Sequence, residues 1–267
     1  MYHLDSLPFP AYNLVEDLSV YKPRIFEHLE PPLITIISSR GCPSQCTFCD
    51  CSVFGRTYRQ RSAENVVEEL KYLYDRYHFK SVHFFDDTFS LDKERIYRIF
   101  ELLEKENIRF KWFCLSRINN VDYEYLKFIK EHGCCSIAFG VESGDPEILK
   151  KIKKGISLEK AEDVFRNCRK IGLPSEGLFI IGHPGDTIES INRTIRFACR
   201  SKLDQVMITL NTPFPGSPQY AEAEKYGSFA KTDWSRFSEH RPVFVPIGLT
   251  EQILMRKRKE FTIRFYL

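Results

Sequence analysis

From residue 33 onward, short apolar runs alternate with longer stretches in which apolar residues recur every three or four positions. LITIIS (33–38) is rich in branched residues and predicts a buried strand. SAENVVEELKYLYDRYH follows, with Val66, Leu70, Leu73 and Tyr77 on one helical face and Ser62 placed as its N-cap. SVHFFDD (81–87) predicts a second strand, and DKERIYRIFELLEKENI a helix with Ile96, Ile99, Phe100 and Leu103 inward. FKWFCLSR (110–117) is a third strand, followed by DYEYLKFIKEHG, a helix closing at Gly133 as its C′ glycine. SIAFGVES (136–143) is a fourth strand, and two helical pieces follow, DPEILKKIKKG and SLEKAEDVFRNCRKIG. EGLFIIG (176–182), the helix DTIESINRTIRFACRSK and the strand DQVMITLNT (204–212) complete the series.

Six continuous apolar strands, each separated from the next by amphipathic helix, predict an α/β fold with a parallel sheet. Periodicity alone fits either an open doubly wound sheet or an incomplete barrel. The strand ends decide between them. The first is followed by a cysteine-rich loop, and the second ends in Asp86-Asp87. The third ends in Ser116-Arg117, and the fourth in Glu142-Ser143-Gly144. The fifth runs into GHPGD and the sixth into TPFPGSP. A barrel gathers its site from all of its strand ends, whereas an open sheet uses one switch point. The expected fold is therefore a partial TIM-like barrel of six βα units over residues 33–220. An N-terminal linker (1–32), marked by five prolines, precedes it, and a C-terminal helical extension (221–267) follows. That extension holds a short helix (AEAEKYG), a proline-marked loop (HRPVFVP) and a last helix, TEQILMRKRKEFTIRFYL. Its RKRK run reads as a solvated face beside Ile253, Leu254, Phe261 and Ile263 rather than a nucleic-acid patch.

Composition adds little beyond exclusions. Of the residues, 43% are hydrophobic and 28% charged, as in a globular domain, and a net charge of +3 spread along the chain gives no nucleic-acid footprint. No apolar run reaches the roughly 18 residues of a membrane span, and the first residues show no signal-peptide pattern. A cytoplasmic setting is expected, in which clustered thiols bind metal more readily than they form disulfides.

Four of the nine cysteines fall within SRGCPSQCTFCDC (39–51). Cys42, Cys46 and Cys49 are separated by three and then two residues. Three thiolates cannot close a tetrahedral zinc site, and no second CxxC pair exists to help them. A four-iron cluster accepts three cysteines and leaves one iron open for a small molecule. Cys134 and Cys135 are adjacent, so their side chains diverge, and Cys114, Cys168 and Cys199 are expected as buried free thiols.

CPSQCTFC resembles the CxxxCxΦC signature of the radical S-adenosylmethionine superfamily, with Phe48 as the aromatic residue. The resemblance implies a [4Fe-4S] cluster on Cys42, Cys46 and Cys49, with S-adenosyl-L-methionine on its open iron. It implies reductive cleavage to a 5′-deoxyadenosyl radical, followed by hydrogen abstraction or methyl transfer on an organic substrate. FFDDTF (84–89) is similar to the element that holds the methionine amino group, which places Asp86 and Asp87 there. LSRIN (115–119) resembles the third-strand element, with Ser116 and with Arg117 toward the methionine carboxylate. GVESG (140–144) resembles the fourth-strand element, with Glu142 on the ribose and Ser143 beside it. KKIKKG brings Lys154, and FIIGHPGDT brings Gly182 and Asp186. NTPFPGSPQY is similar to the sixth-strand element. Residues with catalytic roles of their own remain unassigned.

Several of these positions have a plain structural reading as well. Asp86 or Asp87 reads equally as a helix N-cap, Arg117 as an ion-pair member and Lys154 as a solvated lysine. His83 reads as a satisfied core residue, and His183 as a loop histidine without a role.

The flanks narrow the resemblance. LDSLPFPAYNL (4–14) and the segments after residue 233 are similar to those around the barrel of cobalamin-dependent radical methylases and of an anaerobic ring cyclase. The cobalamin-binding domain of those enzymes is not within these residues, and the last helix reads as truncated. Expected partners are a small-molecule substrate, an electron donor such as flavodoxin or ferredoxin, and a cobalamin-binding domain or chain. Alternative readings are a cobalamin-independent, methylthiotransferase-like enzyme and a non-catalytic iron–sulfur or metal module.

Overall fold

The computed structural model describes residues 3–15, 17, 20, 22–23, 27–229 and 234–267. Its strands are β1 (Leu33–Ile36), β2 (Ser39–Arg40), β3 (Arg59–Gln60), β4 (Ser81–Phe84), β5 (Lys111–Ser116), β6 (Cys134–Glu142), β7 (Ser175–Ile181), β8 (Gln205–Leu210), β9 (Gly227–Phe229) and β10 (Phe244–Pro246). Its helices are α1 (Ala63–Tyr77), α2 (Lys93–Lys105), α3 (Tyr123–Glu131), α4 (Pro146–Lys151), α5 (Leu158–Lys170), α6 (Ile188–Arg200), α7 (Pro218–Tyr226) and α8 (Glu251–Tyr266). Six strands form one parallel sheet in the order β1-β4-β5-β6-β7-β8, the arrangement of a partial TIM-like barrel. Every strand and helix expected from periodicity is present. The unforeseen strands, β2, β3, β9 and β10, are two or three residues long, too short to carry a period.

Helix starts follow local chemistry. Ser62, Asp92, Asp122, Asp145, Thr187, Ser217 and Thr250 each accept a backbone N–H of the helix they precede. Gly133, just past α3, has φ +93°, as its reading as a C′ glycine requires.

By internal contacts the chain forms two compact units. One comprises residues 1–42, 57–138 and 167–175, and the other residues 43–56, 139–166 and 176–267. The first unit contains β1, β4 and β5, and β1 pairs with β4 in the register Leu33↔Ser81 to Ile36↔Phe84. Its core is aromatic. Phe100 stacks on Trp112 with ring centres 4.9 Å apart, and Phe84 meets Phe89 at 4.5 Å. Val66, Leu70, Leu73, Ile96, Ile99 and Leu103 are all buried there, while Tyr77 is half-buried.

In the second unit β7 pairs with β8 from Glu176↔Gln205 to Ile181↔Leu210. Phe261 of α8 packs on Phe179 of β7 at 5.4 Å. Strand β8 ends the sheet order, so one row of its backbone groups would lie open. The extension fills that row. Tyr266 Oη both accepts from Val206 N–H (3.0 Å) and donates to Val206 O (3.1 Å). Arg258 donates to Ile208 O at 3.1 Å, and Leu210 N–H donates to Glu239 O at 2.7 Å.

This geometry corrects the solvated reading of the RKRK run. Arg256 and Lys259 are exposed, but Lys257 is buried, donating to Asn192 (2.6 Å) and Glu260 (2.8 Å), and Arg258 caps the sheet edge. Ile263 is exposed, and Cys199, expected as a buried thiol, is exposed too, its thiol donating to Arg264 O across from α6. Cys114, Cys134 and Cys168 are buried, as expected of Cys114 and Cys168.

Candidate active site

Each unit carries part of the strand-end chemistry. In the first, Asp86 follows β4 and is buried. Its Oδ1 accepts the N–H groups of Ser38 (2.6 Å) and Ser39 (3.0 Å), and its Oδ2 accepts the Ser38 hydroxyl (2.5 Å). Burial pushes this carboxyl up, against the pull of those bonds and of Arg95. Arg95 itself donates to Ser38 Oγ at 3.1 Å. Asp87 is exposed and accepts the N–H of buried Gly41 at 2.8 Å, one residue before Cys42. Neither aspartate caps a helix. Thr88 precedes the short turn at Phe89–Leu91, and Asp92 caps α2. Ser116 is buried at the end of β5 and Arg117 is half-buried beside it. The pair β2–β3, joined as Ser39↔Gln60 and Arg40↔Arg59, forms the stem from which the cysteine loop departs. Cys42, half-buried, is the last residue of this stretch.

The second unit holds Cys46 and Cys49. Cys46 is buried and Cys49 reaches the surface. The Cys49 thiol is pushed up, first by its hydrogen bond with Cys46, then by the protein packed around it and by the negative charges of Cys46 and Glu142; Lys154 pulls the other way. Lys154 and Glu142 form an ion pair at 2.7 Å with both side chains buried. Glu142 sits at the end of β6 with φ +70°, a left-handed conformation uncommon outside glycine and associated with functional sites. Gly140, two residues earlier, makes room for the pair. A Cβ there would lie 2.5 Å from Glu142 Oε1 and 2.7 Å from Lys154 Nζ. Lys154 also stands 5.9 Å over the Phe48 ring, and Phe48 meets the His183 ring at 5.7 Å.

His183 is fully buried, and neither ring nitrogen makes a hydrogen bond of good geometry. The nearby Asn211 side chain also has an unpaired amide nitrogen. Burial, aided by the Lys154 charge and opposed by Asn211, pushes His183 down to about 3, so its ring is neutral. Gly182 has φ +87°, and Asp186 holds the turn, accepting the N–H groups of Gly182 and His183 at 2.9 Å each. Ser143 is spent locally. Its Oγ lies 3.1 Å from Thr194 Oγ1 and accepts Asp145 N–H at 3.1 Å.

The match to known proteins agrees with this arrangement. Residues 36–198 match the Radical SAM superfamily. The chain belongs to the radical SAM superfamily. It is 34% identical over 266 residues to an uncharacterised methyltransferase of Pyrococcus horikoshii, covering 99% of this chain and 57% of the relative. It is 36% identical over 227 residues to a Methanocaldococcus jannaschii protein named provisionally as a methylthiotransferase, covering 82% and 50%. The radical SAM methyltransferase TsrM from Kitasatospora setae, solved with cobalamin and a [4Fe-4S] cluster, superposes with a TM-score of 0.64 at 22% identity. That superposition covers 94% of this chain and 52% of TsrM, and it carries the fold alone. The chain spans about half the length of the curated relatives it matches.

A radical SAM chain implies a cluster and S-adenosylmethionine. Among the described residues no three His, Cys, Asp or Glu side chains are gathered into a metal-holding group. The donor chemistry of the loop nevertheless fits a cluster. Cys46 and Cys49 stand side by side, Cys46 disfavouring the Cys49 thiolate, and iron bound by both would relieve that repulsion. A polar cofactor fits as well, since His183 and Asn211 leave buried polar atoms unpaired, and the Lys154 charge acts on His183.

Sequence reasoning passed over Gly140 and assigned His183 no role. The glycine was visible in GVESG, but only the folded pair shows what it clears. The histidine carried no signal beyond lying next to Gly182.

Proposed function

We propose that this chain is the catalytic barrel of a radical SAM methyltransferase acting on a small organic molecule. The observation that carries the reading is the Cys46–Cys49 pair set beside the buried Glu142–Lys154 ion pair, in a chain matched to the family over residues 36–198. Cys42, Cys46 and Cys49 would hold a [4Fe-4S] cluster, which supplies the electron for reductive cleavage of S-adenosylmethionine. The protein's own share is positioning and exclusion of water. Glu142 offers a carboxylate acceptor to hydroxyls, and Lys154, paired with it at 2.7 Å, offers a cation. Phe48 and His183 give an apolar wall with a neutral ring. Asp87, Ser116 and Arg117 would take the methionine end, with Asp86 bracing the backbone beside them; in the other unit Ser143 would brace the turn after Glu142, and Gly182 would allow close approach. Electrons would come from a flavodoxin- or ferredoxin-like donor, and cobalamin, if used, through a domain outside these residues.

The 36% match to the provisionally named methylthiotransferase favours a second reading, sulfur insertion without cobalamin. Anaerobic reconstitution followed by electron paramagnetic resonance tests the common core. The expected result is a cluster signal that changes when S-adenosylmethionine is added, and its loss in Cys46→Ala with unfolding unchanged. A cluster signal indifferent to the cofactor, or one that survives in Cys46→Ala, refutes the proposal. Methylcobalamin dependence of product formation then separates the two readings.

A further inference from the structure

The peptide of Thr47, between two of the cysteines, is held from outside its own loop. Its N–H donates to Ile152 O at 3.0 Å, and its carbonyl accepts Gln219 N–H at 2.9 Å. Both partners are helix ends. Ile152 is the C-cap of α4, so its carbonyl has no intrahelical donor. Gln219 is the second residue of α7 behind the Ser217 cap, so its N–H has no intrahelical acceptor. The loop residue thus completes two helix termini at once. The Gln219 side chain closes a further link, Nε2 donating to Thr47 Oγ1 at 3.3 Å, from a residue only 6% exposed. On the other side of Cys49, the Asp50 carboxylate is folded onto its own turn through Ser52 N–H (2.8 Å) and Ser52 Oγ (2.9 Å). Gly216, at φ +93°, lies so close to Asp50 that a Cβ there would overlap its carboxylate. Residues 216–219 therefore touch the loop on both flanks of Cys49. Beside this contact lies a cavity of about 170 Å³, lined in part by Thr47, Ile152, Gln219 and Tyr226. Phe48, the next residue, packs on the buried cluster of Ile148, Leu149 and Ile152, so the hydrogen bonds of Thr47 act together with packing to fix the loop.

We propose that the segment Gly216–Gln219 is a brace that positions Cys46 and Cys49, with Gln219 its key positioning residue. The family match ends at residue 198, so this assigns to the last barrel residues, beyond the matched stretch, a share in holding the cluster ligands. The inference rests on the cluster reading above, and its test has one readout that does not need a cluster.

The variants are Gln219→Ala, Thr47→Val and their double, with Gly216→Ala as a stronger disruption of the same contact. In the reconstituted full chain, an iron chelator should strip iron from each single variant about 2 to 10 times faster than from the unaltered protein, the range expected for one lost hydrogen bond. The double variant should be no faster than the faster single one, because both remove the same link. In the metal-free chain, iodoacetamide should alkylate buried Cys46 faster by a similar factor, while Cys168, buried elsewhere, is unaffected. Unchanged Cys46 alkylation together with unchanged iron loss overturns the brace. So does a parallel rise at Cys168, or additive effects in the double variant, since these mark general loosening. Failure of the unaltered chain to take up a cluster tells against the proposed function, and the alkylation ratio still decides the brace.

Discussion

The turn from Gly182 to Asp186 contains two buried groups whose protonation pulls stability in opposite directions. Asp186 accepts two backbone N–H groups and the Ser190 hydroxyl (2.5 Å), yet burial outweighs them, and repulsion from Asp145 adds to it. Its carboxyl is raised from 3.8 to about 6. His183, neutral and buried, is lowered from 6.5 to about 3. For a raised acid, the stability it contributes is present below its unfolded value and is lost as pH rises through the folded one. For a lowered histidine, the contribution is present above its unfolded value and is lost as pH falls. Between about pH 4 and about pH 6 each group changes stability by about 1.4 kcal/mol per pH unit, with opposite sign. Over that window each is worth about 3 kcal/mol, and together they nearly cancel.

Removing either one exposes the other. Asp186→Asn keeps an acceptor for Gly182 and His183 N–H, and its amide can donate to Ser190 Oγ, which still donates to Thr187 O at 3.0 Å. Relative to the unaltered chain, this variant should gain about 3 kcal/mol of stability as pH rises across the window. His183→Phe keeps the ring contact with Phe48 and should lose about the same amount. The double variant should run parallel to the parent. Urea unfolding of the metal-free chain at several pH values, followed by tryptophan fluorescence, measures each difference. Other carboxylates titrate in all four proteins and drop out of the comparison. Single-variant curves parallel to the parent would refute the claim that burial dominates at these two groups.

Two further outcomes follow from buried charge. Lys154→Met should cost about 3–5 kcal/mol, because it strands the Glu142 carboxylate, and adding Glu142→Gln should recover most of that in the same urea measurement. At the sheet edge, Arg258→Ala should lower stability by about 1–3 kcal/mol by stripping the donor from Ile208 O. The opened β8 edge should also raise light scattering at high protein concentration.

Short-range physics made the barrel legible and long-range pairing did not. The periods of three to four and the capping serines and aspartates act within a few residues, so the sequence displays them directly. Ser62 and Gly133 stand where their chemistry demands. The Thr47–Gln219 link joins residues 172 apart, and nothing in TFC or SPQY announces it. The same holds for α8. Its pattern of charges and apolar residues suggested a wet face of lysines and arginines, but Lys257 and Arg258 turn to Asn192 and to Ile208 O once β8 needs covering. Of the apolar residues beside the RKRK run, Ile263 is exposed, because this helix has only a narrow buried stripe of Leu254, Lys257 and Phe261.

The strand-end motifs also divide by task in a way that residue type conceals. Asp86, Ser143 and Asp186 look like ligand-binding positions, yet they spend their oxygens on the protein. Asp86 ties the end of β1 to the end of β4, Ser143 fixes the turn into α4, and Asp186 closes the turn after β7. Each aims a neighbouring backbone segment. Glu142 and Lys154 are instead paired side chain to side chain, packed against the bare backbone of Gly140 and with Glu142 in a left-handed conformation. A buried ion pair is a poor way to gain stability, since desolvation offsets much of its attraction. Its presence beside two cysteines is better explained by a ligand whose polar groups exchange partners with it. Mutation should therefore separate the two sets. Changes at the bracing residues should act on folding and cofactor affinity together, whereas the double change Lys154→Met with Glu142→Gln, which removes the charged pair without stranding either partner, should weaken S-adenosylmethionine binding far more than it weakens the fold.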